Sequence, residues 1–390
     1  MRLPRRQFVV PFLCMAFRRI SSAAEPLLRE FDFSSLDGLL VPNDRFFIRN
    51  HFSAPRHRVN DWTLRIKGSV RSPLEFRYSD LMRLSPESRV VTLECAGNRP
   101  GGGGVGTASW TGIPLKRVLE LAGLRAGVKH IRLTGADSGR EESGASTIAY
   151  ARSIPVDKAL DGATLLAFRM NDADLPLDHG YPLRAIVPGW YAMDSVKWLV
   201  SIEALDYTDT SFFMTQRYHG AKLRAVSAER FPVREMRVKS QISRPREGEA
   251  LIPGRYVIRG AAWSGESQVA RVEVSIDGGQ QWSAASLEKH RHPHAWTLWN
   301  LPFEVATGKD LTVSVRAFDN KGRVQPTTRE AGRVDGYELN WLHSVRCKLK
   351  ATTKWINNCA MFSCRIVSTG VQNTWIILAQ IRSYITHTSY

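Results

Sequence analysis

The sequence predicts an α+β protein of two domains, a mixed α/β domain followed by an immunoglobulin-like β-sandwich, and three observations predict it. The chain has 390 residues, of which 43% are hydrophobic; this is more than one typical domain needs and enough for two cores. Ahead of Gln216 strand patterns alternate with amphipathic helical ones, whereas beyond Val233 only short β-rich runs separated by turn sequences remain. Residues 216–233 between them are polar and irregular, which reads as the connection between domains. The expected division is a leader at 1–24, a first domain at 25–232, a second at 235–345 and an atypical tail at 346–390.

Within the first domain, residues 61–78 alternate apolar and polar side chains as a half-buried strand and turn do. Ser79 is placed as the N-cap of a short helix running through Leu81 and Leu84. Residues 90–94 form a compact apolar strand that runs into Cys95-Ala96-Gly97-Asn98-Arg99-Pro100 and then four glycines. A strand that delivers a cysteine to a glycine-rich loop presents a thiolate to something the backbone must approach closely. Residues 114–124 form a helix with Leu115, Val118, Leu119 and Ala122 on one face. Strand signals recur at 182–188 and 196–202. In the second domain, strands are expected at 256–262, 269–276, 296–298 and 311–317, with turns at Asp277-Gly278-Gly279 and Asp319-Asn320-Lys321-Gly322. The tail has three of the five cysteines and no alternation, and a frame shift or an unrelated extension is the reading for it.

The net charge is +17, from 54 Lys and Arg against 37 Asp and Glu. The arginines are scattered singly through folded-looking segments, without the basic block or interleaved aromatics of a nucleic-acid binder, so nucleic acid is excluded as the partner. Anionic lipid, acidic proteins and small oxyanions remain, and charge alone does not choose among them. The cysteines, at 14, 95, 347, 359 and 364, form no CxxC pair and no disulfide framework, and there is no haem-attachment CxxCH and no GxGxxG nucleotide fingerprint. The N-terminus reads Arg5-Arg6-Gln7-Phe8, a short apolar run and then Ser21-Ser22-Ala23-Ala24, the pattern of a twin-arginine export signal and too short to span a bilayer. Periplasmic localisation is the expectation.

Val91-Thr92-Leu93-Glu94-Cys95-Ala96-Gly97-Asn98-Arg99 resembles the cysteine signature of the sulfite oxidase family of molybdopterin oxidoreductases. Six further segments resemble that family in the same order: Phe46-Phe47-Ile48-Arg49-Asn50-His51, Trp110-Thr111-Gly112-Ile113-Pro114-Leu115, Gly135-Ala136-Asp137, His179-Gly180-Tyr181-Pro182-Leu183-Arg184 with Val196-Lys197-Trp198, Ala262-Trp263-Ser264-Gly265, and Val274-Ser275-Ile276-Asp277-Gly278-Gly279. Taken singly, His51 and His179 would be structural histidines, Arg184 and Lys197 surface charges, and Trp110 a core aromatic; the ordered set lifts them together.

The resemblance implies the sulfite oxidase fold, a molybdenum–molybdopterin cofactor, a dimerisation role for the second domain, and Cys95 as the metal ligand. A soft thiolate suits high-valent molybdenum. Cofactor contacts then fall to Arg49, Asn50, His51, Asp137, His179, Arg184, Val196 and Lys197, with Arg184 and Lys197 supplying cations for its phosphate. Arg49, Arg99 and Trp110 would form the substrate site for a small anion. The reaction implied is oxygen-atom transfer, sulfite to sulfate, with electrons passed to a separate cytochrome c-type acceptor. Three positions depart from the family. Pro100 stands where an arginine is expected, with Arg99 beside it. Phe168 occupies the position read as the tyrosine beside the metal. Asp335, before Gly336-Tyr337, stands for an arginine, where its charge would repel a dianion. These departures keep open a sulfoxide or oxyanion reductase on the same scaffold; a non-catalytic binding protein is the rival from another class.

Overall fold

The computed structural model describes residues 26–56, 58–141, 146–223, 227–306 and 310–350. The export-signal reading at 1–24, and residues 351–390 of the tail, lie outside the described residues.

The first region holds two five-stranded sheets. One runs in the order Leu74–Arg77, Thr63–Gly68, Leu199–Leu205, His130–Arg140, Thr147–Pro155. Alternation in Thr63–Gly68 turns Leu64 and Ile66 into the core and leaves Arg65 and Lys67 outside, as a one-sided sheet requires. The other runs Ala173–Asp174, Leu165–Met170, Val105–Pro114, Glu87–Glu94, with Arg184–Ile186 also paired to Leu165–Met170. The helix Leu115–Ala122 starts after Pro114 and stops at Gly123, which is left-handed. At eight residues it is too short to persist alone. Burial of Leu115, Val118 and Leu119, about 1.5–3 kcal/mol each, holds it in place.

The helix expected to be capped by Ser79 begins two residues earlier, as Tyr78–Leu81 with Arg77 at the N-cap. The Asp80 carboxylate accepts the Arg77 N–H at 2.9 Å and so closes the cap before Ser79.

Residues 216–233 are not a bare connection. His219–Leu223 and Ala228–Pro232 pair as an antiparallel hairpin. It reads as irregular because both strands are short, Ala228–Pro232 is largely exposed and His219–Leu223 buries only Gly220, so neither carries an apolar alternation.

The second region is a sandwich of two sheets, Lys239–Arg244, Gly254–Trp263, Thr297–Val305, Ser286–Leu287 facing Ala250–Leu251, His343–Leu349, Leu311–Asp319, Val269–Ser275, Ser283–Ala284. Its last strand, His343–Leu349, crosses the boundary placed at 345, and Val345 and Cys347 both face the core. The sandwich therefore ends at Leu349. The two regions share apolar packing: Phe33 sits 5.9 Å from Trp296 and 6.4 Å from Trp263, in one cluster with Leu93 and Val105.

Candidate active site

A cavity of about 150 Å³ opens where the Cys95 loop meets the ends of both first-region sheets. Cys95 lines it, half-buried and unpaired with any other cysteine. The loop that carries it is closed by two backbone bonds, Cys95 N–H to Gly104 C=O and Asn98 N–H to Cys95 C=O, each 2.8 Å. Glycine is required at 103, because a Cβ there would meet the Phe31 carbonyl oxygen at 1.9 Å.

From the segment before the first sheet come Arg49, Asn50 and His51, and from His130–Arg140 comes Asp137. His179, Arg184, Val196 and Lys197 complete the set predicted from sequence. They meet because Gly180, at φ +112°, turns the chain so tightly that a Cβ would lie 3.0–3.1 Å from the Cβ atoms of Arg184 and Lys197.

The Arg184 guanidinium is buried and has no carboxylate partner among the hydrogen bonds of the described residues. It donates to the His179 carbonyl at 2.9 Å and the Ser195 carbonyl at 3.0 Å, and burial lowers its pKa to about 9. Lys197 donates to Asn50 Oδ1 and, at 3.0 Å, to the Asp178 carbonyl; burial, then Arg184, brings it down to about 7. Burial raises Asp137 to about 7 against the pull of Lys197. His179 is pushed to about 3 by burial and by Arg184, so it is neutral. Its Nε2 lies 3.1 Å from the Asn43 carbonyl and must carry the proton to donate there, which leaves Nδ1 as an acceptor.

Asn50 Nδ2 and Asp137 Oδ1 are both buried without a hydrogen-bond partner. An orphaned donor and an orphaned acceptor, two under-neutralised cations and a thiol in one cavity fit a heterocycle with N–H and acceptor edges that ends in an anionic group. Molybdopterin has those features.

The unfolded-state pKa of Lys197 is near 10.5 and the folded one near 7. Between them the unfolded chain holds a proton the folded chain lacks, so this lysine makes cofactor-free stability rise with pH across that window. Lys197→Met is expected to flatten the rise, measured by urea unfolding of the cofactor-free protein at several pH values; parallel wild-type and variant curves would count against it.

Three predicted residues lie elsewhere. Arg99 is exposed outside the cavity lining. Trp110 is fully buried behind the cavity, with the Arg184 guanidinium 4.9 Å from its ring centre, so it supports Arg184 and does not face the cavity. Phe168 is a core residue packed with the apolar cluster that contains Phe52 and Leu166. Two phenols line the cavity, Tyr150 and Tyr218, and Tyr218 is close enough to Cys95 for a thiolate's charge to act on it. Burial raises its pKa, and its hydroxyl lies 3.5 Å from His51 Nδ1. His51 pairs in turn with Glu141, which Arg217 holds at 2.7 Å. Tyr150 and Ser195 also line the cavity and were not read from sequence. The one signal in the sequence is the aromatic in Arg217-Tyr218-His219-Gly220, inside a stretch whose polar, irregular pattern reads as a connection.

Asp335 does not present a free charge. Arg333 grips it with two bonds of 2.7 and 2.9 Å, and the N–H groups of Ala221 and Tyr337 complete its shell. Burial works against the carboxylate, but these donors hold its pKa at about 2. The repulsion expected there is neutralised locally.

Residues 51–213 match the oxidoreductase molybdopterin binding domain, and residues 230–350 the Mo-co oxidoreductase dimerisation domain. The chain is 34% identical over 317 residues to sulfite oxidase of Gallus gallus, covering 74% of this chain and 68% of that one. It belongs to the sulfite oxidase family of molybdopterin oxidoreductases. Members of this family similar to it include the mitochondrial sulfite oxidase of Rattus norvegicus, 34% identical across 75% of this chain and 58% of the rat protein. Nitrate reductase [NADH] 1 of Arabidopsis thaliana is 32% identical across 74% of this chain but only 36% of that enzyme. Among solved structures, the sulfane dehydrogenase SoxCD of Paracoccus pantotrophus superposes with a TM-score of 0.73 at 29% identity, covering 84% of this chain and 86% of that one. As a family member, the chain is an oxidoreductase whose cofactor is molybdenum held by molybdopterin, in a two-domain α+β fold. No helix among the described residues is long and apolar enough to cross a membrane.

Proposed function

We propose that this enzyme oxidises sulfite to sulfate and that Cys95 is the thiolate ligand of its molybdenum. The observation that carries the reading is one cavity holding Cys95, two poorly neutralised cations and an orphaned donor–acceptor pair. When bound, the cofactor supplies two-electron oxygen-atom transfer. Arg184 and Lys197 would hold its anionic end, with Asn50 and Asp137 satisfied by its ring edges.

The remaining work falls to side chains at the mouth. Arg49 is exposed and lines the cavity, so it meets an incoming anion before desolvation and orients it. The Tyr218 hydroxyl can hold a proton near the reacting atoms, with His51 and Glu141 behind it as the route to solvent. The aromatic and aliphatic lining, including Phe47 and Met193, limits access of water.

A separate cytochrome c-type protein is the proposed electron acceptor, the second domain mediates a homodimer, and the residues at 1–24 direct export to the periplasm. The reductase alternative drew on Phe168 and Pro100; Tyr218 returns to the cavity the hydroxyl missing at Phe168. A sulfane is the alternative substrate suggested by the Paracoccus pantotrophus relative's name.

The test is sulfite-dependent and sulfane-dependent reduction of cytochrome c by protein loaded with molybdenum. Sulfite turnover is expected to dominate; a loaded protein that turns over only the sulfane would overturn the substrate assignment. In the same assay Tyr218→Phe should lower kcat/KM about tenfold, the worth of one lost hydrogen bond at a reacting group. Phe168→Tyr should leave kinetics alone and cost about 1–3 kcal/mol of stability by burying an unpaired hydroxyl. A kinetic effect at 168 with none at 218 would reverse the assignment.

A further inference from the structure

The strand that delivers Cys95 ends in a residue gripped from the other domain. Glu94 and Lys239 each have 1% of their side-chain surface exposed, and Lys239 Nζ donates to Glu94 Oε1 at 2.8 Å. Lys239 also donates to the Asn98 carbonyl at 2.6 Å. The Trp263 indole N–H, again from the second domain, donates to the other Glu94 oxygen at 2.8 Å. Asn98 ties the same carboxylate to the loop, giving Nδ2–H to Glu94 Oε1 and accepting the Gly104 N–H at Oδ1, each at 3.0 Å. Two positions along the strand Lys239–Arg244, and so on the same face, Gln241 accepts the Gly101 N–H at 3.2 Å and donates to the Gly102 carbonyl at 3.1 Å.

One face of a second-domain strand therefore holds both flanks of the cysteine loop, at Glu94 and Asn98 and again at Gly101 and Gly102. A buried ion pair is a poor device for stability alone, since a well-packed apolar pair does as well or better. Here the two charges flank the one thiol in the cavity, and Lys239 lies within electrostatic reach of its sulfur.

We propose that Lys239 and Gln241 are positioning residues for the Cys95 thiolate. The second domain, besides its dimerisation role, holds the ligand loop in place and sets the electrostatic field at the sulfur through the Lys239–Glu94 pair. The potential part of this inference rests on Cys95 being the metal ligand; the clamp itself does not. The Lys239 cation favours the electron-richer state of the centre and Glu94 opposes it, so the two charges act on the potential with opposite signs.

The experiment compares wild type with Lys239→Gln, Glu94→Gln and the double variant. Amide hydrogen exchange is followed in the cofactor-free protein, and molybdenum content, midpoint potential and the Mo(V) electron paramagnetic resonance spectrum in the loaded protein. Lys239→Gln should speed exchange of the amides at 95–104 by about tenfold while Gly254–Trp263 stays protected, and should move the potential downward. Glu94→Gln should move it upward. The double variant, in which two amides can hydrogen-bond, should recover loop protection and bring the potential back toward wild type. Exchange that rises uniformly along the chain, or single variants whose potentials stay unmoved or move in the same direction, would overturn the proposal. Wild-type protein without molybdenum would instead defeat the ligand assignment, and the exchange result would still decide the clamp.

Discussion

Cys95→Ser is expected to abolish catalysis while leaving the protein folded. Serine is close to cysteine in size, and residue 95 is half-buried at the cavity wall, so unfolding should shift by no more than about 1 kcal/mol. Its hydroxyl is a hard donor that stays protonated at neutral pH, whereas a thiolate is both soft and anionic. Loss of a group that merely supports a metal ligand costs about 10–100-fold in metal affinity or activity, and loss of the ligand itself should exceed that. Elemental analysis and sulfite turnover on the loaded variant check it. Wild-type molybdenum content together with wild-type turnover would remove Cys95 from the metal.

Arg152→Met should be the most damaging single change to the framework, at about 3–5 kcal/mol from a total stability of about 5–15 kcal/mol. Arg152 is 2% exposed, and its Nε donates to Asp194 Oδ1 at 2.8 Å, where the Asp194 side chain is fully buried. The same guanidinium donates to the Phe213 carbonyl and lies 5.3 Å from the centre of the Tyr218 ring. Removing it strands the Asp194 carboxylate, whose Oδ2 already lacks a partner, and releases the cavity tyrosine. The double variant Arg152→Met with Asp194→Leu, which removes both charges, should recover part of the loss in urea unfolding. A single variant that unfolds at the wild-type midpoint would show that the pair contributes nothing.

Neither Arg152 nor Asp194 stands out in the sequence, and the reason is general to this site. Cys95 was legible because its neighbours along the chain already describe its environment: an apolar strand, then glycines. Arg184, Lys197 and Asp137 were legible as parts of an ordered series of segments. Tyr218 was not, because what makes it important is the fold of the His219–Leu223 hairpin, which returns it to the cavity from a stretch without periodicity. Phe168 was assigned its place from its neighbours in sequence, and the strand Leu165–Met170 turns that side chain into the core. Asp335 looked repulsive for the same reason; its charge is answered by Arg333, two residues away and folded back upon it.

The sequence by itself determined the α+β class, a first region distinct from the β-sandwich, the cysteine on its glycine loop and the cations that line the cavity. Each of these is written in local pattern: alternation, turn residues and motif order. Only the tertiary structure decided which tyrosine faces the thiol, which arginines are neutralised and where the sandwich ends. It also revealed that Lys239, 144 positions after Cys95, holds the loop that carries it. Those facts depend on charges and hydroxyls brought together across long chain separations, where burial strengthens each interaction and no local pattern records the partner.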